Sequence, residues 1–183
     1  KFTLSYIGVL EQLRNPEILW ETLNDLVQEN ADFKNDFQLK FVGRLDDKIL
    51  QKIESSPLKN NLTNLGYQTH DVALKHMQDS SVLLITNFPQ ESSKGIIPGK
   101  IFEYLATGKT ILSFGPKDAD VEKILNETKA GKHFGYDEKE NLKKFILESY
   151  ENWKSGTLNQ NAENIEQFSR KNLTQKLVDL MNK

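Results

Sequence analysis

The sequence contains no cysteine among its 183 residues. Disulfide bridges, thiolate metal sites and a cysteine nucleophile are therefore excluded. Long hydrophobic runs are also missing, because no apolar stretch reaches the roughly 20 residues needed to cross a bilayer. The first residues resemble a strand and not a signal peptide. These absences predict a cytoplasmic protein.

Arginine and net charge are scarce as well. Only three of the 24 basic residues are arginine (Arg14, Arg44 and Arg170), and the formal net charge is −2. This balance excludes a nucleic-acid-binding patch, and it makes a bidentate phosphate-binding side chain a rare feature of this chain. The spacing of the histidines does not form a metal site, so we expect no metal and no cofactor.

Short apolar, β-branched runs alternate with longer amphipathic ones, a pattern typical of a parallel α/β sheet. The predicted strands are Thr3–Ile7, Leu39–Val42, Leu62–Leu65, Val82–Thr86, Ile111–Phe114 and Lys132–Phe134. The predicted helices are Pro16–Glu29, Asp46–Ser55, Asp71–Gln78, Gly99–Thr107, Ala119–Glu127, Lys139–Trp153 and Ala162–Met181. We therefore expect a Rossmann-like parallel sheet of about six strands with helices on both faces.

The domain organisation follows from one break in this pattern, at Ser155 and Gly156. Residues 1–156 are predicted to form one Rossmann-like domain. The segment 157–183 is predicted to hold a C-terminal helix that packs back on this domain or toward another one. Because the chain enters a strand at once, with no leader or initiating methionine, we interpret it as a piece of a longer protein.

The segment 95–109 reads GIIPGKIFEYLATGK and precedes an apolar run. Pro98 suits the first position of a helix, and Gly108 suits its C-terminal cap. The first turn of such a helix exposes backbone N–H groups that bind anions, most often phosphate. Lys100 adds a cation there, and Glu103 offers a carboxylate for sugar hydroxyls one turn later. This combination predicts a nucleotide site.

The same segment resembles the donor-binding motif of GT-B glycosyltransferases of the retaining glycosyltransferase 4-like (group 1) type. In that family the pattern K-x-x-E-Y-x-A-x-G-K-P-I-L is familiar, and here it begins at Lys100, with Thr110 in place of proline. The resemblance implies that Glu103 hydrogen-bonds the ribose of a nucleotide sugar. Gly95 stands where many members carry a second acidic residue near the transferred sugar.

Glu103 and Lys100 also have a simpler interpretation, a surface ion pair worth roughly 0.2–0.5 kcal/mol. The apolar neighbours of Glu103 predict that its helix is largely buried, which argues against a fully exposed carboxylate.

The loop after the first predicted strand supplies another cation. Arg14 lies six residues after Gly8 and matches the lysine of the family's G-R-L-x-x-x-K pattern, while Val9 occupies its arginine position. The resemblance implies that Arg14 pairs with the diphosphate through charge-assisted hydrogen bonds worth roughly 1.5–3 kcal/mol each. A solvated loop arginine is the alternative.

The segment from Gly66 to Asp71 resembles the family's L-G-x-x-x-H-E/D segment, which contacts the nucleotide base. Tyr67 offers a ring on which the base can stack. His70 is interpreted first as an N-terminal cap for the helix beginning at Asp71, and contact with a phosphate is the alternative.

The resemblance implies the donor-binding half of a GT-B hexosyltransferase. The enzyme would transfer a sugar from a nucleotide-diphosphate donor to an acceptor held by an N-terminal domain outside this chain, in cell-surface polysaccharide or glycoconjugate synthesis. This piece alone is expected to be inactive, and any peripheral association with the inner membrane face would come through the other half. Arg14 and Glu103 are the implied catalytic residues. The implied donor-binding residues are Gly8, Gly66, Tyr67, Gly95, Ile96, Ile97, Lys100 and Glu103.

Two other functions remain open from the sequence. One is a GT-B-like epimerase that acts on a UDP-sugar in a similar nucleotide cleft. The other is a non-enzymatic α/β interaction domain whose glycine-rich strand ends are only tight turns.

Overall fold

The computed structural model describes residues 1–159 and 162–181. The strands are Phe2–Ile7 (β1), Phe37–Val42 (β2), Leu62–Asn64 (β3), Val82–Thr86 (β4), Thr110–Phe114 (β5) and Gly131–Phe134 (β6). The helices are Glu17–Glu29 (α1), Ala31–Asp36 (α2), Asp47–Glu54 (α3), His70–Gln78 (α4), Lys100–Thr107 (α5), Asp120–Thr128 (α6), Lys139–Lys154 (α7) and Arg170–Met181 (α8). Short 3₁₀ turns cover Gln12–Arg14, Pro57–Asn61, Glu91–Ser93 and Ile165–Phe168.

The six strands form one parallel sheet in the order β3-β2-β1-β4-β5-β6. The chain moves outward from β1 to β3, returns to the centre at β4, and then moves outward to β6. This reversal places the topological switch point between β1 and β4, where ligands of such sheets bind beyond the carboxyl ends of the strands. The predicted Rossmann-like architecture is confirmed.

The hydrophobic core lies on both faces of the sheet. One cluster packs the sheet against α1, α2, α3 and α7, and it is rich in aromatic rings such as Phe33 and Phe37, which stack with centroids 4.9 Å apart. The other cluster packs the sheet against α4, α5 and α6, and it is mostly aliphatic. Because the central strands are covered on both faces, β1 and β4 are buried along their whole length.

Two elements differ from the sequence prediction. Helix α2 was not expected, and it forms where the Asn30 side chain accepts a hydrogen bond from the Phe33 N–H. The prediction of one helix over Ala162–Met181 is wrong in its first half, where a 3₁₀ turn precedes an extended Ser169.

Tertiary contacts explain the interruption of the last helix. Phe168 packs near the ring of Phe102 with centroids 6.1 Å apart, and Ile165 contacts the same aliphatic cluster. In contrast, Leu177 and Leu180 of α8 are exposed. Residues 160, 161, 182 and 183 of the predicted C-terminal segment lie outside the described residues.

Candidate functional site

The carboxyl ends of β1 and β2 pack main chain against main chain. Gly8 and Gly43 have φ angles of 121° and 125°, and a Cβ atom on Gly43 would lie 2.2 Å from the Gly8 carbonyl oxygen. Only glycine fits such an approach at this backbone angle. The Gly43 N–H in turn donates to the Gly66 carbonyl at 2.7 Å. The predicted donor-binding residues Gly8 and Gly66 are therefore linked through Gly43.

Lys100 places a positive charge at the end of β1. It is the first residue of α5, and its Nζ donates a hydrogen bond to the Ile7 carbonyl at 2.7 Å. The same Nζ lies 4.2 Å from the centroid of the Tyr6 ring. A Cβ atom on Gly8 would lie 3.0 Å from this ammonium, so the absence of a side chain at Gly8 makes room for it.

The environment of Lys100 changes its protonation. Burial, and to a smaller extent the charge of Arg14, lowers the pKa of Lys100 to about 8, while Glu103 acts in the opposite direction. These influences show that Arg14, Lys100 and Glu103 share one electrostatic environment. Burial also raises the pKa of Tyr104, whose hydroxyl accepts a hydrogen bond from the Ile7 N–H at 3.3 Å.

The loop before α5 and the start of this helix leave backbone N–H groups unpaired among the described residues. The helix begins after Gly99, which has no capping side chain, and it ends at Gly108 in the left-handed conformation that was predicted. Within the described part of the chain, the N–H groups of Gly95, Ile97 and Gly99 make no hydrogen bond. Such a helix start is a ready anion site.

The loop 87–99 is held in place by polar contacts that were not predicted. The Asn87 side chain donates to the Ile96 carbonyl at 2.8 Å, and the Ser93 hydroxyl donates to the Phe88 carbonyl at 2.7 Å. The Tyr136 hydroxyl donates to the Asn87 carbonyl. The position of Asn87 at the exit of a buried strand is the one sequence signal for its role, since Tyr136 comes from a distant part of the chain.

Arg14 lies on the opposite side of the switch point, in the 3₁₀ turn after β1. Its Nη2 donates to the Val9 carbonyl at 3.0 Å and pairs with a Glu11 carboxylate oxygen at 3.3 Å. The guanidinium carbon lies 5.6 Å from the centroid of the Phe88 ring. The Arg14 side chain is therefore not freely solvated, and its contacts are shared among the Val9 carbonyl, Glu11 and the Phe88 ring.

Glu103 corrects one expectation from the sequence. Helix α5 buries Ile101, Tyr104 and Leu105 but leaves Glu103 exposed, so the expectation that burial protects this carboxylate is wrong. The helix is amphipathic, and its apolar side alone contacts the sheet. The alternative ion pair with Lys100 does not form either, and the Glu103 carboxylate has no hydrogen bond or ion pair within residues 1–159 and 162–181.

The β3–α4 loop presents Tyr67, whose side chain is 88% exposed. Gly66 has a φ angle of 62°, and its N–H donates to the Asn64 side chain at 3.3 Å. The interpretation of His70 as a helix cap is wrong, because Thr69 occupies the cap position and His70 is the first residue of α4.

The described residues lack two further features, a cluster of metal ligands and a membrane-spanning helix. No group of three or more His, Asp or Glu side chains there could hold a metal ion. None of the helices described is long and apolar enough to cross a membrane.

Comparison with solved structures places the fold among glycosyltransferases. The chain superimposes on the C-terminal domain of LpcC from Francisella tularensis, a group 1 glycosyl transferase, with a TM-score of 0.66 and 12% identity, covering 91% of this chain and 84% of that one. The chain has the fold of a GT-B C-terminal domain. No protein-family model and no curated protein sequence matches it.

Two longer glycosyltransferase structures contain the same GT-B fold. A variant of TarM from S. aureus, solved with fondaparinux, alpha-GlcNAc-glycerol and UDP, gives a TM-score of 0.69 at 18% identity over 100% of this chain. HepE from Anabaena, solved with UDP-glucose, gives 0.70 at 17% identity over 99% of this chain. The chain spans only 36% of TarM and 48% of HepE.

Proposed function

We propose that this chain is the nucleotide-sugar donor-binding domain of a glycosyltransferase. One observation carries the proposal: the partly buried Lys100 ammonium lies at the end of β1, and the loop that leads from β4 to α5 leaves N–H groups unpaired among the described residues. Both are suited to a diphosphate. The UDP in the TarM structure and the UDP-glucose in the HepE structure support this choice of ligand.

Five of the nine predicted site residues have a stated role in this proposal. Lys100 and Arg14 bind the diphosphate, and Glu103 binds the ribose hydroxyls. Gly66 and Tyr67 contact the base, whose face can stack on the exposed tyrosine ring. During transfer the bond between the sugar and the diphosphate breaks, and the two cations with the helix N–H groups stabilise the departing negative charge.

We further propose that a second domain covers this edge and binds the acceptor. Large apolar side chains are exposed in the loops that follow β1, β3 and β4; they are Val9, Leu13, Tyr67, Ile96 and Ile97. Exposed apolar surface of this kind marks an interaction site, and the longer TarM and HepE chains leave room for such a domain. The complete protein would then be a hexosyltransferase of polysaccharide or glycoconjugate synthesis, with any membrane association in the other half.

The first test is a calorimetric titration of this domain with UDP, GDP, ADP and CMP, followed by amide NMR. Saturable binding of one diphosphate, with shifts confined to segments 95–103 and 66–67, is the expected result. Binding of none of these nucleotides, by this domain and by the full-length protein, would reject the proposal in favour of an interaction domain. Product analysis of the full-length protein separates transfer to an acceptor from epimerisation of the donor sugar.

A further inference from the structure

Tyr6 lies beneath the candidate site but belongs to the opposite face of the sheet from α5. Its ring is only 1% exposed and is part of the cluster under α1. Lys100 comes from α5, which covers the other face, and its Nζ crosses the end of β1 to lie 4.2 Å from the Tyr6 ring centroid. The lysine can pass there because Gly8 has no side chain.

The hydroxyl of Tyr6 has a separate contact. It donates to the Val9 carbonyl at 2.9 Å, and Arg14 Nη2 donates to the same oxygen at 3.0 Å. The Tyr6 ring therefore contacts the Lys100 ammonium. The Tyr6 hydroxyl donates to the Val9 carbonyl, which also accepts a hydrogen bond from Arg14.

A partly buried ammonium is stabilised by such a contact. Lys100 has no carboxylate partner within residues 1–159 and 162–181, and its hydrogen bond to the Ile7 carbonyl replaces only part of its hydration. A lysine side chain is flexible, and without further contact its charge would move outward into water. The electron-rich face of the Tyr6 ring compensates for the lost hydration and keeps the charge at the strand end.

We propose that Tyr6 is a positioning residue of the diphosphate site, its ring holding the Lys100 ammonium and its hydroxyl holding the Val9 carbonyl to which Arg14 is tethered. This inference rests on the proposed function. Tyr6 itself does not touch the ligand, and it acts through the two cations.

The test measures the affinities for UDP and for uridine in Tyr6→Phe and Tyr6→Leu. Tyr6→Phe keeps the ring and loses the hydroxyl, so the affinity for UDP should fall roughly 2- to 10-fold, as for one hydrogen bond. Tyr6→Leu also removes the ring, and a further loss of roughly 3- to 30-fold is expected. The affinity for uridine, which has no phosphate, should not change in either variant.

Tyr150→Phe is the matched control. Tyr150 is also fully buried, and its hydroxyl bonds Asp36 at 2.8 Å, far along the chain from the site. This variant should leave both affinities unchanged, which separates the general effect of removing a buried tyrosine hydroxyl from the specific effect at Tyr6.

A double-mutant cycle tests whether the Tyr6 ring acts on UDP binding through Lys100. In a Lys100→Met background the difference between Phe and Leu at position 6 should disappear, because the ring then has no ammonium to hold. Equal losses for UDP and uridine, or an unchanged UDP affinity in Tyr6→Leu, would overturn the positioning role. A wild-type protein that binds no nucleotide would instead reject the proposed function, and the positioning role with it.

Discussion

The loops that follow β1 and β4 flank the same crevice, but they present positive charge in different ways. After β1, Arg14 is 22% exposed and is already paired with Glu11 at 3.3 Å. After β4, the loop leads to Lys100, which is held by a carbonyl and an aromatic ring without a carboxylate partner in the described chain. Because a charge removed from water and counterions acts more strongly on a ligand, Lys100 should contribute more to diphosphate binding than Arg14.

The backbone hydrogen bonds of the two loops also differ. The loop after β1 is tied to the loop after β2, where the Leu10 N–H donates to the Arg44 carbonyl at 2.9 Å. The loop after β4 leaves the N–H groups of Gly95, Ile97 and Gly99 unpaired within the part of the chain that is described. The loop after β1 therefore uses its backbone groups within the protein, whereas the loop after β4 leaves three N–H groups available for a ligand.

The largest expected effect comes from the glycine that supports the β1 loop. Gly43→Ala should lower the free energy of unfolding by about 3 kcal/mol, because the new Cβ overlaps the Gly8 carbonyl and the positive φ is strained. Chemical denaturation measures this loss. Gly99→Ala is the control in the other loop, where a Cβ meets nothing within 4 Å. Similar stabilities of the two variants would contradict the close packing of β1 and β2 ends.

Removal of the buried cation should have the next largest effect. Lys100→Met should weaken UDP binding roughly 10- to 100-fold, because a charge-assisted hydrogen bond is lost from a desolvated position. Calorimetry measures the affinity, and Lys144→Met, which changes a side chain 76% exposed on α7, is the control. A loss smaller than that of the Arg14 variant would reverse the ranking of the two loops.

The pH dependence of UDP binding tests the same lysine without a mutation. The pKa of Lys100 is lowered to about 8, so the ammonium is charged below that pH and neutral above it. Between about pH 7 and about pH 9 the affinity should fall roughly tenfold, and Lys100→Met should abolish this change. The unfolded chain keeps the ordinary lysine pKa of 10.5, so the destabilisation of the fold by the charged Lys100 is relieved as the pH rises from about 8 to about 10.5. An unchanged affinity would show that Lys100 does not bind the phosphates.

The paired cation should matter less. Arg14→Met should weaken UDP binding roughly 3- to 10-fold, because Glu11 and water already neutralise part of its charge. Glu11→Gln sharpens the comparison, since it frees Arg14 and should strengthen binding roughly twofold. Titration with UDP measures the affinity of both variants. Weaker binding by Glu11→Gln would mean that the ion pair with Arg14 organises the loop.

The smallest expected effect concerns Glu103, which binds the sugar portion in the proposal. Glu103→Gln should weaken UDP binding roughly 2- to 5-fold, because a neutral amide is a poorer acceptor for ribose hydroxyls than a carboxylate. The same substitution should not change binding of 2′,3′-dideoxy-UDP, which lacks those hydroxyls. Equal losses with both ligands, measured side by side, would assign Glu103 a different role.

The strand and helix pattern was predictable because alternation of apolar runs and amphipathic stretches reflects burial directly. The unexpected helix α2 depends on one capping side chain, Asn30, in a segment too short to show periodicity. The last helix was predicted from the spacing of its apolar residues, but Phe168 contacts Phe102 instead of continuing a helical face. The apolar spacing therefore gave a wrong helix prediction where a long-range contact determined the backbone conformation.

The sequence by itself determined where glycine lies at the strand ends, that a helix begins at Lys100, and that an acidic residue follows one turn later. These features depend on residue type and spacing, which are local. Only the tertiary structure decided that Lys100 crosses β1 to reach Tyr6 and the Ile7 carbonyl, 93 residues away in the chain, and that Glu103 faces outward. Those arrangements require β1 and β4 to lie side by side, and that pairing arises from packing of the whole sheet.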